Sequence, residues 1–527
     1  MKKNLALLFF CVASYFVSGQ CNVTNITGDY VVSSSIILSG TYNITGKFVI
    51  PAGVTVFVGK HSSNSCGKLE INASDIIING TINADDAGYK GGNGGNGGVD
   101  VTSITGDILS LTDCSNKDNT GQVTVEGGNS GLPGNGPGAG LAGQDGSNGS
   151  GPKQQCLNND DEAGMIGSGG GSGGGAGGSY GGQGGNGSTG GNGTNFYTSS
   201  GVNVSTAYSV AAGNGGNGGN AAAVYGTATS NDIELGSGGA GAGGGARSFA
   251  AGTNGGKGGN GGGMVKLVAQ DTLIVTGILS ANGSNGLNGG TGGNGGQTAK
   301  CCSDGCDDCG EANLSCGAGG GSGAGGGSGG GILLECFNYS FITGTLHSKG
   351  GNGGAGGTKG LGISCNYSAT FCGTQSLSSG DGSDGNSGGG AGGGRIKIFA
   401  GSCSMNTINP VTTVTGGAGS SAGAAGTYNV ICNVTSLAEN TDYHKLIVYP
   451  NPAKGNVFVK FKFPQHLQDE NAVFQVYDIN AKLVLSTTCS LNQDDEQEIN
   501  LENFNTGIYF IRLIANDITV VEKIIKE

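Results

Sequence analysis

Short apolar runs separated by turn residues dominate the amino-terminal part of the chain. Runs at 36–38, 48–50, 54–58, 69–71 and 76–78 are rich in β-branched residues, and Gly, Asn or Ser stands between them. Such runs are typical of strands joined by tight turns. The apolar positions show no helical period there. The pattern therefore predicts an all-β fold.

One of these units returns farther along the chain. The paired runs at 68–73 and 76–82 recur at 265–279 and at 332–346, and residues 395–400 begin a further copy without a clear second half. A glycine triplet stands directly before each of the last three copies. Because a unit that cannot bury its own apolar face must stack on neighbours, the repetition predicts a parallel β-helix, or solenoid.

Equivalent glycines set the length of this repeat. Gly80, Gly277 and Gly344 are 197 and 67 positions apart, so the longer gap is close to three of the shorter ones. A repeat of about 65 residues follows, whose copies between 100 and 260 have diverged or been obscured by insertions. In this interpretation residues 20–90 form the strand-rich beginning of the solenoid.

Residues 91–423 form a glycine-rich repeat region. Glycine pairs separated by one other residue recur in runs such as 91–98, 213–220, 253–263 and 288–296. This spacing matches an extended helix of three residues per turn, with every third residue on one face, and proline is too rare for collagen. Ordering a glycine costs about 0.5–1 kcal/mol more than ordering an alanine. We therefore expect polyglycine-type extended inserts that hydrogen-bond to one another, with plain disorder as the alternative.

Composition narrows the possible partners. The chain has 117 glycines, no tryptophan, 12% charged residues, a net charge of −13 and only three arginines. It therefore has no basic patch that could neutralise a phosphate backbone, which argues against nucleic acid as a partner. The lack of tryptophan also removes the usual stacking platform for sugars.

The first residues have the pattern of a secretory signal peptide. Lys2 and Lys3 precede a largely apolar stretch at 5–17, and small residues precede an expected cut before Gln20, so residues 1–19 are the predicted signal peptide. Gln20 is too large to precede a lipidated cysteine at Cys21. No later stretch reaches the roughly 20 apolar residues of a membrane helix, so no transmembrane segment is expected after the signal peptide.

The composition changes abruptly near the carboxyl terminus. Residues 424–445 are interpreted as a linker, and glycine nearly vanishes after it. Apolar and polar residues alternate at 457–463, and about seven short strands are predicted in residues 446–527. That number of strands in so short a segment predicts a small immunoglobulin-like β-sandwich.

Four landmarks within residues 446–527 carry a family resemblance. They lie at 448–455, 476–484, 506–512 and 522–525, and their key residues are Tyr449, Pro450, Asn451, Pro452, Gly455, Tyr477, Asp478, Gly507, Tyr509 and Lys523. The segment resembles the type A C-terminal sorting domain of the type IX secretion system. Ala481 departs from the family, which has glycine in that turn.

The resemblance implies a route of export. The signal peptide would take the chain through the Sec pathway, and the type IX translocon would recognise the sorting domain. A sortase would cut in the linker before Leu446 and attach the body to surface lipopolysaccharide, or release it. The expected location is the outer cell surface or the medium, and none of the sorting residues would be catalytic.

Cysteine usage fits an oxidising compartment. Fifteen cysteines remain after the signal peptide, and disulfides are the default there. The odd number leaves one that is free, paired between chains or lost on processing. The predicted disulfide cluster comprises Cys301, Cys302, Cys306, Cys309 and Cys316. Zinc is the weaker interpretation, since Cys306 and Cys309 have ligand spacing but no matching second pair. Cysteines farther on are spaced like staples across loops: Cys336, Cys365, Cys372, Cys403 and Cys432.

The remaining candidate chemistry is sparse. Asp304, Asp307 and Asp308, like Asp381 and Asp384, suggest calcium, but the tandem calcium motif and the EF-hand loop are both missing, which favours solvated surface acids. The four histidines stand in no Ser/His/Asp or Cys/His grouping. We expect no catalytic residue, no metal and no cofactor.

These features predict a non-enzymatic, secreted cell-surface protein of structural or adhesive function. Its partners would be lipopolysaccharide, glycans or other cells, besides the secretion machinery. Two alternatives stay open. One is a carbohydrate-processing or carbohydrate-binding β-helix protein. The other is an ice- or surface-binding module, which requires a flat array of regularly spaced threonines.

Overall fold

The chain folds into two compact units, Met1–Thr435 and Ser436–Glu527, here called the body and the carboxyl-terminal unit. The computed structural model describes residues 21–62, 65–98, 122–152, 162–200, 203–204, 210–296, 313–336, 338–369, 373–401, 406–432, 445–462, 471–479, 482–490, 496–515 and 518–527. The predicted signal peptide and most of the predicted linker therefore lie outside the described residues.

Strands are the regular elements of the described residues, and no helix is found among them. The strands of the body are β1 (Val23–Ile26), β2 (Tyr30–Val31), β3 (Ile36–Leu38), β4 (Gly40–Ile50), β5 (Thr55–Val58), β6 (Lys68–Ile78), β7 (Thr81–Asn83), β8 (Gln122–Val125), β9 (Gly149–Pro152), β10 (Glu162–Ile166), β11 (Tyr197–Ser200), β12 (Asn203–Val204), β13 (Met264–Val275), β14 (Ile278–Ser280), β15 (Asn313–Ser315), β16 (Gly331–Cys336), β17 (Tyr339–Ile342), β18 (Thr345–His347), β19 (Ser364–Ala369), β20 (Gly373–Ser379), β21 (Arg395–Ala400), β22 (Thr407–Ile408), β23 (Val411–Thr413) and β24 (Thr427–Ile431). Those of the carboxyl-terminal unit are β25 (Lys445–Tyr449), β26 (Asn456–Lys462), β27 (Asn471–Asp478), β28 (Leu483–Ser490), β29 (Glu496–Asn500), β30 (Gly507–Ala515) and β31 (Ile518–Lys526).

Two parallel sheets form the solenoid of the body. The ten-stranded sheet runs β1-β4-β6-β13-β16-β21-β24, with β2, β17 and β22 beside this path. The six-stranded sheet runs β23-β18-β14-β7-β5-β3. Each coil contributes a long strand to the first sheet and a short one to the second, as in β6 and β7. The predicted parallel β-helix is confirmed.

Apolar side chains of successive coils stack in columns inside the solenoid. Leu69 lies opposite Val265, which lies opposite Ile332, which lies opposite Ile396. All four side chains are fully buried. Burying one such side chain contributes about 1.5–3 kcal/mol, so the alternation of β-branched residues fixes the register of each coil.

Coil-to-coil pairing corrects one sequence interpretation. Strand β6 pairs directly with β13, and β7 pairs directly with β14, so no coil lies between them. The carbonyl oxygen of Gly80 lies 1.8 Å from the position of a Cβ on Gly277, and that of Gly277 lies 2.2 Å from a Cβ on Gly344. The prediction of diverged copies between 100 and 260 is therefore wrong. That segment leaves the solenoid instead, because its Gly-Gly-X runs offer no apolar alternation to a sheet.

The unclear second half of the last copy is also resolved. Strand β22 pairs with β17, and β23 pairs with β18, both in parallel. The coil that begins at β21 is therefore complete. Its second-half strands are only two and three residues long, so they carry no apolar run that a sequence pattern could reveal.

The glycine-rich segments pack side by side as extended three-residue helices, which we call the glycine lattice. Three successive N–H groups of one segment donate to three different neighbouring segments, and the fourth donates to the first neighbour again. The bonds are Gly323 N to Asn386 O (2.9 Å), Ala324 N to Leu287 O (3.0 Å), Gly325 N to Ala240 O (2.9 Å) and Gly326 N to Gly389 O (3.1 Å). The predicted polyglycine-type inserts are thus ordered in the structure, and their backbone groups satisfy one another.

The burial of a segment in the glycine lattice explains the size of the residue that follows each glycine pair. Segments 167–179 and 317–330 are buried along their whole length, and every residue in them is Gly, Ala or Ser. Some of the buried serines bond to backbone carbonyls, as Ser168 Oγ does to Gly317 O at 2.6 Å. On the outer segment 348–362 every third residue is exposed, and these residues are larger. The predicted three-residue face is confirmed on this segment.

Three small sheets complete the described part of the body. Strands β8 and β9 pair antiparallel, β10 lies between β12 and β15, and β20 lies between β11 and β19. A small apolar cluster of Leu314, Cys316 and Leu377 lies beside the last two of these sheets.

The carboxyl-terminal unit is a seven-stranded sandwich. One antiparallel sheet runs β25-β26-β29 and the other β28-β27-β30-β31. Val457 and Val459 from the first sheet share a core with Phe474, Val476 and other residues of the second. The predicted immunoglobulin-like β-sandwich therefore agrees with the observed layers.

Replacing one buried glycine tests the glycine lattice. A Cβ on Gly325 would lie 1.9 Å from Ala176 O, whereas a Cβ on Gly380 would have its nearest neighbour, Phe196 O, at 3.2 Å. We expect Gly325→Ala to destabilise the body by about 3 kcal/mol, the upper end for overpacking, and Gly380→Ala to cost much less. Urea unfolding of the full chain measures both. Equal urea midpoints for the two variants would contradict the packing described.

The first coil carries a testable crosslink. Cys21 and Cys66 form a disulfide across a sequence separation of 45 residues. Restricting the unfolded chain over a loop of this size contributes about 2–4 kcal/mol. The double variant Cys21→Ser/Cys66→Ser should lower the urea midpoint of the body by a corresponding amount. The unaltered, oxidised protein is the reference, and an unchanged midpoint in the variant would argue against the crosslink.

Candidate functional site

The first and last landmarks of the carboxyl-terminal unit meet through one asparagine. Asn451 Nδ2 donates to Lys523 O at 2.7 Å, and Ile525 N donates to Asn451 Oδ1 at 2.9 Å. Ala453 N donates to Ile525 O at 2.8 Å and continues this contact. The Pro-Asn-Pro entry is thus fastened to strand β31, about 70 residues away in sequence.

The residues around this asparagine lie at the surface. Pro450, Asn451, Pro452 and Lys523 are all exposed. Both proline peptide bonds, Tyr449–Pro450 and Asn451–Pro452, are cis. The entry therefore presents an exposed, hydrogen-bonded turn beside the last strand.

The second and third landmarks are neighbours on strands β27 and β30. Asp478 lies opposite Tyr509, and Tyr477 lies opposite Phe510. Asp478 Oδ1 accepts the N–H of Lys482 at 2.9 Å and closes the turn that follows β27. Ala481 itself lies outside the described residues.

Tyr509 anchors the approach to β30. Its hydroxyl donates to Asn505 O at 2.8 Å, and its ring centroid lies 5.2 Å from that of Phe504. A tyrosine that bonds back to upstream backbone is a recurrent corner in immunoglobulin-like sandwiches. Gly455 and Gly507 differ from the lattice glycines, because a methyl group on either would meet no atom within 4 Å.

Comparison with protein families assigns this unit. Residues 447–527 match the family described as secretion system C-terminal sorting domain. The carboxyl-terminal unit is a type IX secretion sorting domain. The sorting domain directs the protein to the outer cell surface or the medium, and it implies interaction with the secretion machinery. A search of curated proteins finds no match to the chain.

The most densely bonded ionic cluster of the described body lies on the outer side of β21. Residues 221–235, here called the strap, cross the sheet at this point. Lys397 is fully buried, and its Nζ donates to Ser230 O (2.8 Å), Asp232 O (2.5 Å) and Asp232 Oδ1 (2.8 Å). Burial lowers the pKa of Lys397, while the bond to Asp232 opposes that shift. Burial alone would raise the pKa of Asp232, but hydrogen bonds from Lys397, Ser230 and Thr227 together hold it well below its usual range.

A second cation holds the other end of the strap. Arg395 donates to Tyr225 O at 3.0 Å and Gly226 O at 3.2 Å, and its guanidinium carbon lies 5.4 Å from the centre of the Tyr180 ring. Burial raises the pKa of Tyr180 beyond its ordinary value. The bonds of Lys397 and Arg395 described here fasten the strap onto the sheet. No local sequence motif marks this cluster, because Asp232 and Lys397 are 165 positions apart.

The cysteine predictions divide between described and undescribed residues. Cys301, Cys302, Cys306 and Cys309 lie outside the described residues, as do Cys372 and Cys403. Cys316 is a buried free thiol, so it departs from the predicted disulfide cluster. Its Sγ lies 3.5 Å from Phe196 O. Burial raises its pKa to about 11. Cys336 is likewise free and buried, whereas Cys432 is disulfide-bonded.

The acidic candidates that the structure describes support the backbone. Asp381 Oδ1 accepts the N–H of Gly362 at 2.8 Å, and Asp384 Oδ1 accepts that of Lys359 at 2.7 Å. The N–H of Gly362, followed by the Lys359 side-chain ammonium 3.0 Å from Asp381 Oδ2, lowers the pKa of Asp381. Asp304, Asp307 and Asp308 lie outside the described residues. Within the described ranges, no three side chains of His, Cys, Asp or Glu are grouped as metal ligands.

Among the residues with assigned structure, none forms a helix of the length and apolarity that crossing a bilayer requires.

Asn451 gives a direct test of the landmark geometry. Asn451→Ala removes both bonds to β31, which at about 0.5–1.5 kcal/mol each should destabilise the sorting domain by about 1–3 kcal/mol. Asn451→Asp keeps the acceptor for Ile525 N and should lose less. Urea unfolding and the amount of exported protein measure the two effects. Glu502→Ala, at an exposed side chain, is the control, and an Asn451→Ala protein as stable as this control would refute the assignment.

Proposed function

We propose that the exported protein is a structural or adhesive component of the cell surface and acts without catalytic turnover. Export itself rests on the sorting domain. The structural role rests on the body, in which hydrogen bonds run from segment to segment across the glycine lattice. Such a body is a stiff support that exposes every third residue of its outer segments.

The polar chemistry of the described body supports this proposal. Lys397 and Arg395 hold the strap, and Asp381 and Asp384 hold neighbouring backbone. An enzyme instead needs titratable groups that converge on a cleft where a substrate can reach them. These four side chains all bond to the protein's own backbone.

A column on the six-stranded sheet favours a second candidate, a surface- or ice-binding module. Thr55, Thr81, Ile278, Thr345 and Val411 occupy one line across five neighbouring strands. Neighbouring strands in a sheet lie about 4.8 Å apart, so the column is a regular row of β-branched side chains. Its interruption by Ile278 and Val411 makes it less uniform than a threonine array.

Removal of the body from exported protein tests the proposal. Cells that display the full chain should adhere to abiotic or cellular surfaces better than cells displaying the sorting domain with an unrelated passenger. The body should also persist under protease while its host cells remain intact. Equal adhesion together with rapid digestion, or release of soluble products from a glycan by the purified protein, would overturn the proposal. Inhibition of ice-crystal growth by the purified protein would favour the second candidate instead.

A further inference from the structure

One outer face of the glycine lattice carries a ladder of asparagine side chains. Asparagines of segment 281–296 accept backbone N–H groups of segment 348–362, and each pair is 67 positions apart. The bonds are Lys349 N to Asn282 Oδ1 (2.8 Å), Asn352 N to Asn285 Oδ1 (2.8 Å), Ala355 N to Asn288 Oδ1 (3.3 Å) and Leu361 N to Asn294 Oδ1 (2.9 Å). Asn352 continues the ladder by accepting Ala418 N at 2.8 Å.

This bonding fixes the direction of each carboxamide. Oδ1 is held by the neighbouring segment, so the Nδ2 group and its two N–H donors point away from that bond. Asn285, Asn288, Asn294 and Asn352 are exposed. Within the described part of the chain their Nδ2 groups donate to no protein acceptor. The face therefore offers oriented donors whose conformational entropy is already lost.

The donors repeat in two directions. Along a segment, Asn285 and Asn288 are three residues apart, which in an extended three-residue helix is about 9 Å. Across segments, Asn285 and Asn352 lie on adjoining rungs. A partner that makes many equal contacts must itself repeat on a similar scale.

Charge and shape narrow the partner further. The ladder donors are uncharged, and the protein as a whole carries a net charge of −13, which repels polyanions. Leu287 and Leu361 stand beside the ladder and are 56% and 54% exposed. They add apolar contact next to the donors. Hydroxyl and ring oxygens that repeat along a chain with apolar C–H faces are the chemistry of a polysaccharide.

We propose that the asparagine ladder binds an extended, uncharged polysaccharide. This inference rests on the proposed adhesive function and names its ligand class. Each amide-to-hydroxyl bond is weak because it replaces a bond to water. Affinity arises from several rungs engaging one polymer at once, since every contact after the first is intramolecular.

Asparagine-to-aspartate variants test the ladder without dismantling it. In the triple variant Asn285→Asp/Asn288→Asp/Asn352→Asp, each carboxylate still accepts the neighbouring N–H, but the outward donors are gone. The full chain would be applied to insoluble β-1,4-glucan, β-1,4-mannan and chitin, and the bound fraction measured. We expect retention on at least one of them and a loss of at least tenfold in the triple variant.

A matched variant controls for the added charge. Asn93→Asp/Asn96→Asp/Asn129→Asp introduces the same three charges at exposed positions of other outer segments. No side-chain hydrogen bond to a neighbouring segment holds these carboxamides among the described residues. This control should keep binding, and urea midpoints should confirm that both variants are folded.

Two results would overturn the inference. One is that the unaltered protein is retained on none of the three polysaccharides, and the other is that the ladder variant and the control bind equally. Neither result bears on the adhesion of cells displaying the body. If adhesion still depends on the body, the proposed function stands while this ligand class is rejected.

Discussion

The hydrogen bond from the N–H of one glycine-rich segment to a carbonyl of the next governs the body. These bonds hold the segments so close that many positions leave no room for a Cβ, as at Gly325, where a Cβ would lie 1.9 Å from Ala176 O. Each bond contributes about 0.5–1.5 kcal/mol, which is comparable with the extra entropy lost by ordering a glycine. A single extended segment would gain little, so the segments are ordered only together.

The solenoid fixes the register of the coils, and that register determines how the glycine lattice is assembled. Apolar columns such as the one through Leu69 and Val265 fix the register of the coils. That register then sets which glycine-rich segments lie side by side, because segments such as 281–296 and 348–362 follow directly on β14 and β18. The spacing of 67 residues between Asn285 and Asn352 is the coil repeat carried outward onto the lattice surface.

The fold class could be predicted from the sequence because the signals for it are local. Alternating β-branched residues, glycine pairs and the four sorting landmarks can each be read within a few residues. The features that could not be predicted depend on contacts between residues that are far apart in sequence. The gap between Gly80 and Gly277 predicts further coils, and this prediction is wrong because spacing alone cannot distinguish a diverged repeat from a segment that leaves the solenoid. Likewise the Lys397–Asp232 cluster joins positions with no local motif. The ladder asparagines do share the coil repeat, so a search for polar residues at that spacing could have found them.

The glycine lattice buries peptide groups where most proteins bury hydrocarbon. Unfolding it exposes polar surface, whose hydration lowers the heat capacity, whereas exposing apolar surface raises it. We therefore expect the heat-capacity change per residue of the body to be smaller than that of an ordinary domain, and its stability curve to be flatter. Hydrophobic stabilisation weakens on cooling, so a body held largely by backbone bonds would lose comparatively little of its rigidity in the cold.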